Sequence, residues 1–210
     1  MADEWLKIVD ENRNEIGIAL RNDVHRFGYW HETFHCWFIR KLEDTVYLYL
    51  QLRSPNKRDY PNLLDITVAG HLTADEEIHD GVREIEEEIG IHVSYEDLEK
   101  LTTIKYSIEK GDLIDREFAH VYLYYNPYPL EKFAVQPEEV SGIVMVRFEE
   151  FIDLWLGNRN SVEIRGFQMN EMGERETLEA KVGKEKFVPH PPSFYEQVIK
   201  NITQKIDNFY

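Results

Sequence analysis

Cysteine is almost absent. Cys36 is the single one in 210 residues, which excludes an intramolecular disulfide and a cysteine-based zinc site. Positive charge is scarce: 24 Lys and Arg face 40 Asp and Glu, for a formal net charge of -16. A field of that sign repels nucleic-acid phosphates and anionic lipid, so neither a nucleic-acid duplex nor a membrane is expected as partner. Long apolar runs are missing too, with no stretch of about 18 such residues. The opening MADEWLKIVD lacks the apolar core of a secretory signal, and the expectation is a cytoplasmic protein. Repeats and low-complexity segments are also absent. What remains is 42% hydrophobic and 13% aromatic, the composition of a globular chain long enough for one domain with elements to spare.

The most informative stretch is 69–91, AGHLTADEEIHDGVREIEEEIGI. It predicts a turn at Gly70 followed by a helix over 75–89, ended by Gly90 where a left-handed residue is wanted. Glu84, Glu87 and Glu88 fall at i, i+3 and i+4, on one helical face. Ile78, Val82, Ile85 and Ile89 fall on another, spaced for packing. Like charges at i and i+4 weaken a helix by a few tenths of a kcal/mol, so Glu84 and Glu88 call for a counter-ion. A divalent cation with oxygen ligands suits them.

Around this helix the pattern is mostly strands. Residues 4–9 and 16–21 predict a β-hairpin, 33–39 and 46–53 two strands, and 64–68 a strand running into the Gly turn. A strand pair is expected at 101–107 and 118–125 around the loop 109–117, then a strand at 140–147 and a helix at 148–156. In the tail, 157–167 reads as loop and 169–187 as a charged segment. A helix follows, capped by Ser193 with Glu196 three residues on. Phe194, Val198, Ile202 and Ile206 form an apolar stripe on it, to be packed on the same domain or a second subunit.

Residues 69–91 resemble the signature box of the Nudix superfamily, G-x5-E-x7-R-E-U-x-E-E-x-G-U with U apolar. Arg83 to Ile91 match residue for residue. The first half is one residue short, which leaves Asp75 and Glu76 both as candidates for its first acid. HETFHCWFI, QLRSPNKRDYP and VAGHL further resemble the isopentenyl diphosphate isomerase branch. By that resemblance His31 and His71 align with metal-ligand histidines and Glu117 with a metal-binding glutamate. Asp115 falls on its acidic neighbour, and His25 is offset by one residue from its counterpart. Arg53 and Lys57 fall where that branch grips diphosphate, and His71 stands with them at the substrate. The isomerases require a cysteine immediately before the Gly-His step, and this chain has Ala69 there. Their glutamate triplet is degraded, and here it is whole.

The resemblance implies an α/β Nudix fold, a mixed sheet between helices, over 1–157, with 158–210 as an extension ending in the amphipathic helix. It implies a metal-dependent pyrophosphohydrolase acting on a small-molecule diphosphate, and a homodimer. Mg²⁺ or Mn²⁺ would be held by Glu84, Glu87 and Glu88, with Asp75 or Glu76 and the Ala69 carbonyl; His31 and Glu117 would hold metal as well. Glu139, on a late loop beside Glu138, joins the three box glutamates as a candidate for activating water. An isomerase-like enzyme and a non-catalytic nucleotide-binding module are the alternatives.

Overall fold

The computed structural model describes residues 4–111 and 113–209. Residues 1–3 of the opening segment, Asp112 of the expected 109–117 loop and Tyr210 lie outside them. The chain runs β1 Trp5–Val9, β2 Glu15–Leu20, α1 Arg21–Phe27, β3 Trp30–Leu42, β4 Thr45–Arg53, β5 Leu64–Asp65 and β6 Val68–His71. A 3-10 turn, Ile78–Val82, then leads into α2 Arg83–Ile89, followed by β7 Glu99–Lys110, β8 Leu113–Tyr125, β9 Val140–Arg147 and α3 Phe148–Leu156. β10 Val162–Met169, β11 Arg175–Val182 and α4 Pro192–Phe209 complete it.

The strands form a mixed sheet in which β3 pairs in parallel with β8 and antiparallel with its other neighbours. Helices and apolar clusters cover both faces, because alternate residues of β3 point to opposite sides. Phe34, Cys36 and Phe38 pack with Ile85 and Ile89 of α2. Trp37 and Ile39 pack with Phe151 of α3 and with Phe194, Val198 and Ile202 of α4. The tail's apolar stripe thus closes on the chain's own core.

One irregularity positions everything else. Along one edge β3 pairs with β6 over Thr33–Cys36 but with β4 over Ile39–Leu42. β4 and β6 diverge at that point and leave a split in the sheet. Thr67 bridges it, its Oγ1 accepting from Phe38 N at 3.0 Å and donating to the Tyr49 carbonyl at 2.6 Å. Polar side chains gather beyond this bridge.

Several expectations are corrected. Helix 75–89 begins as 3-10 geometry and becomes α-helical only at Arg83. The 64–68 strand is two short pieces on either side of the Thr67 bridge, and most of the 109–117 loop continues β7 and β8 as a long hairpin. In the tail, the segments read as loop and charged linker supply β10 and β11, which pair with each other and, through β10, with β9. β10 does carry the alternation of a half-buried strand, Val162 and Ile164 buried and Glu163 and Arg165 exposed, which the sequence reading passed over, while β11, the outer strand, is mostly exposed and offers little apolar signal. α4 starts at Pro192, so Ser193 lies inside the first turn and is not its cap. Proline fits a first helical position because its missing N–H would have no partner there. α1 has no counterpart in the sequence reading; at seven residues it is too short for periodicity to reveal.

Candidate active site

The cleft beyond the split measures about 540 Å³. Glu84, Glu87 and Glu88 of α2 line it, with Ala69, Gly70 and His71 of β6. Arg53, Lys57 and Glu139 approach from the loops, His25 from α1, and Asp115 and Glu117 from β8.

The carboxylate helix is organised by Arg83. Its guanidinium binds both oxygens of Glu76, one of them at 2.9 Å, and its Nη1 donates to Glu84 at 2.7 Å and Glu87 at 2.8 Å. Glu76 also accepts from Thr73 N at 2.8 Å, and the Arg83 bond holds its carboxyl down at about 2. Asp75 accepts only from Thr73 Oγ1, at 2.9 Å. The shortened box therefore assigns Glu76, not Asp75, to Arg83, and both lie in a neighbouring groove rather than in the cleft.

Glu84 and Glu88 are costly anions. Burial pushes the Glu84 carboxyl up to about 7 against the pull of Arg83. Burial and the nearby Glu84 push buried Glu88 well above the carboxylate range. Glu88 accepts from Gln51 Nε2 at 3.3 Å and Ala69 N at 3.4 Å. A Cβ on residue 70 would stand 2.2 Å from Cδ of Glu84, so glycine is what lets this carboxylate lie against the β6 turn. Glu87 is 59% exposed at the cleft rim.

A second cluster lies beside the first. Donor atoms of His25, His31 and His71 come within 4.8 Å of one another, and so do those of His31, Asp115 and Glu117. His25 Nε2, His31 Nε2 and Asp115 Oδ1 are buried without a hydrogen-bond partner, yet both nitrogens sit 3.5–3.6 Å from that oxygen. Burial pulls the His25 imidazole down to about 4 and lowers His31 and His71 as well. These rings are neutral, with lone pairs to offer. Burial would raise Glu117, but the contact with His35, 3.3 Å away, outweighs it and holds the carboxyl well below its usual range; it also accepts from Thr33 Oγ1 at 2.8 Å and Tyr106 OH at 2.6 Å. Asp115 is raised by burial and by Glu117. Orphaned, buried N and O atoms converging this closely suit a transition-metal ion, and the oxygen-only α2 set suits Mg²⁺ or Mn²⁺. Among the described residues, only the histidine-containing set is drawn that tight; Glu84 and Glu87 are shared with Arg83.

The basic residues are already engaged. Arg53 binds Asp65 at 2.9 Å and the carbonyls of Asp59 and Tyr60, bracing the loop it opens. Lys57 is ion-paired with Glu139, while Glu138 is exposed and outside the cleft. Sequence reasoning left His25 doubtful and missed Gln51, Tyr106, Asp65 and His190. Their signal lies in strand register and in the path of the tail, neither of which local spacing encodes.

The model of the NUDIX domain matches residues 29–164. An uncharacterized Nudix hydrolase of Clostridium acetobutylicum is 38% identical over 200 residues, which cover 95% of this chain and 97% of that protein. An isopentenyl-diphosphate Delta-isomerase of Serratia proteamaculans is 29% identical over 123 residues, 58% of this chain and 65% of that protein. A crystal structure from Deinococcus radiodurans, 24% identical, superposes with a TM-score of 0.54 over 73% of this chain and 90% of its own, a likeness of fold.

Proposed function

The chain belongs to the NUDIX domain family and is a Nudix hydrolase, and from that premise we propose that it is a metal-dependent pyrophosphohydrolase cleaving the diphosphate linkage of a small molecule. The observation that carries this reading is the pair Glu84 and Glu88, one carboxyl partly buried and one buried, both pushed upward at the cleft wall and the first admitted by Gly70. A protein with no cation to bind gains nothing from such a pair, because burying a carboxylate unpaired is costly. Glu84, Glu87 and Glu88 would hold Mg²⁺ or Mn²⁺ with the Ala69 carbonyl, and either triad that shares His31, with His25 and His71 or with Asp115 and Glu117, would hold a second type of ion. Asp75 and Glu76 are left out of both sets, Glu76 acting through Arg83. When bound, divalent ions would supply neutralisation of the diphosphate charge and an acidified water.

The chain's own groups do the rest. Arg53 and Lys57 border the space for the diphosphate and favour its negative charge. Arg83 fixes the rotamers of Glu84 and Glu87 until the substrate complex forms. Glu139, kept at the rim by Lys57, takes the proton of the attacking water. The test follows the hydrolysis products of nucleoside diphosphate sugars, dinucleoside polyphosphates, nucleoside triphosphates and isoprenoid diphosphates by chromatography, each with and without Mg²⁺. Hydrolysis of none of them would defeat the reading.

The histidine-rich cluster favours a second reading, the isomerase. Its proton shuttle needs a cysteine where this chain has Ala69. Cys36 is no substitute, since it is fully buried between Phe34 and Phe38 and burial pushes its thiol well up. A non-catalytic binding module would keep the cleft but show no metal-dependent release. A homodimer belongs to the same proposal, and light scattering tests it.

A further inference from the structure

Between β11 and α4 the chain returns to the cleft and places His190 on its wall. The return is pinned: Val188 N donates to the Leu64 carbonyl at 2.9 Å, and Tyr195 OH donates to the Val188 carbonyl at 2.7 Å. His190, only 8% exposed, sets Nε2 3.0 Å from Asp65 Oδ1. Asp65 in turn accepts from Ile66 N and from Arg53 Nη1, each at 2.9 Å. Burial opposes the charge, yet these donors hold the Asp65 carboxyl at about 2. An ionised Asp65 accepts only, so in the neutral imidazole the proton sits on Nε2 and the lone pair on Nδ1. That Nδ1 is buried and has no partner. Phe194 stacks on the ring at 4.6 Å and Tyr106 meets its edge at 5.5 Å. The groups facing it are thus Asp65, with Arg53 behind, and the phenols of Tyr106 and Tyr195. Ile108, Leu113 and Val188 complete this part of the wall.

We propose that His190 determines specificity: its Nδ1 accepts a hydrogen bond from a hydroxyl or N–H of the organic group attached to the diphosphate. This rests on the reading of the cleft as a diphosphate site. This acceptor is already unpaired in the free protein, so a polyhydroxylated or amino-bearing group that reaches it gains a hydrogen bond that an all-carbon group cannot supply. The cleft therefore favours nucleoside-type diphosphates over isoprenoid ones, of the order of tenfold to a hundredfold.

The test compares ADP with dimethylallyl diphosphate, which share a terminal diphosphate and differ in what it carries. Calorimetry with Mg²⁺ present on the wild-type chain is expected to show ADP bound at least tenfold tighter. His190→Gln keeps an N–H for Asp65 but has no acceptor at the Nδ1 position. It is expected to weaken ADP about tenfold, leave dimethylallyl diphosphate within twofold, and leave the melting temperature in place. Equal weakening of both ligands, no weakening, or a wild-type preference for dimethylallyl diphosphate overturns the proposal. Failure of the hydrolase reading looks different: no Mg²⁺-dependent hydrolysis of any diphosphate, with the ADP preference intact.

Discussion

Replacing Glu84 by Gln should make the metal-free protein more stable at alkaline pH while removing its activity. The Glu84 carboxyl stands at about 7 in the fold, against an ordinary value of 4.5. A folded value above the unfolded one means the fold binds the extra proton. Its stability therefore declines as pH rises from about 4.5 to about 7, and the loss persists above that. Roughly 2.5 pKa units at 1.36 kcal/mol each give a penalty of about 3 kcal/mol at pH 8, shrinking to about 1 at pH 5. The amide oxygen still accepts from Arg83, so the variant sheds the charge and keeps the contact. For a chain of this size that is a rise in melting temperature of roughly 6–12 °C at pH 8 in EDTA. Saturating Mg²⁺ should close the gap by stabilising the wild type alone, by about 2.7 kcal/mol at a hundredfold excess over Kd. The assay is thermal unfolding of both proteins at pH 5 and 8, with EDTA or Mg²⁺. A variant no more stable than wild type at pH 8, or equally favoured at both pH values, refutes the reasoning.

Other expectations follow from the same geometry. Glu88→Gln should lower turnover by about a hundredfold or more at saturating Mg²⁺, as measured by chromatography of the hydrolysis products, without loss of melting temperature. Gly70→Ala displaces Glu84, whose Cδ stands 2.2 Å from the new methyl; a weaker Mg²⁺ requirement curve with near-normal stability is expected, and wild-type kinetics would speak against the close approach. His25 is held neutral, at about 4 rather than 6.5, so the fold loses stability as pH falls from 6.5 toward 4. His25→Gln should flatten that decline in urea titrations. Assays with isoprenoid diphosphates should show no double-bond migration, because Ala69 has no proton to give.

The α2 chemistry was legible because it is local. Arg83 to Gly90 sit within two turns, and their spacing alone sets the faces of a helix. Even the shortened box was readable as two candidates, and only the 3-10 turn at Ile78–Val82 decided that Glu76 meets Arg83. The histidine cluster was half legible: His31, His71 and Glu117 came through family resemblance, while His25 needed α1, which carries no periodic signal. His190 was out of reach. It meets Asp65 across 125 residues of sequence, and only the return of the tail over β5 makes the pair. β11 was missed because an outer strand that is mostly exposed carries little apolar pattern, whereas the alternation of β10 was present and passed over.

The decisive measurement is an anomalous difference map from crystals grown with Mn²⁺ and ADP. A peak enclosed by Glu84, Glu87 and Glu88 is the expected result. Manganese confined to the histidine cluster, with Glu84 and Glu87 still turned toward Arg83, would contradict the account.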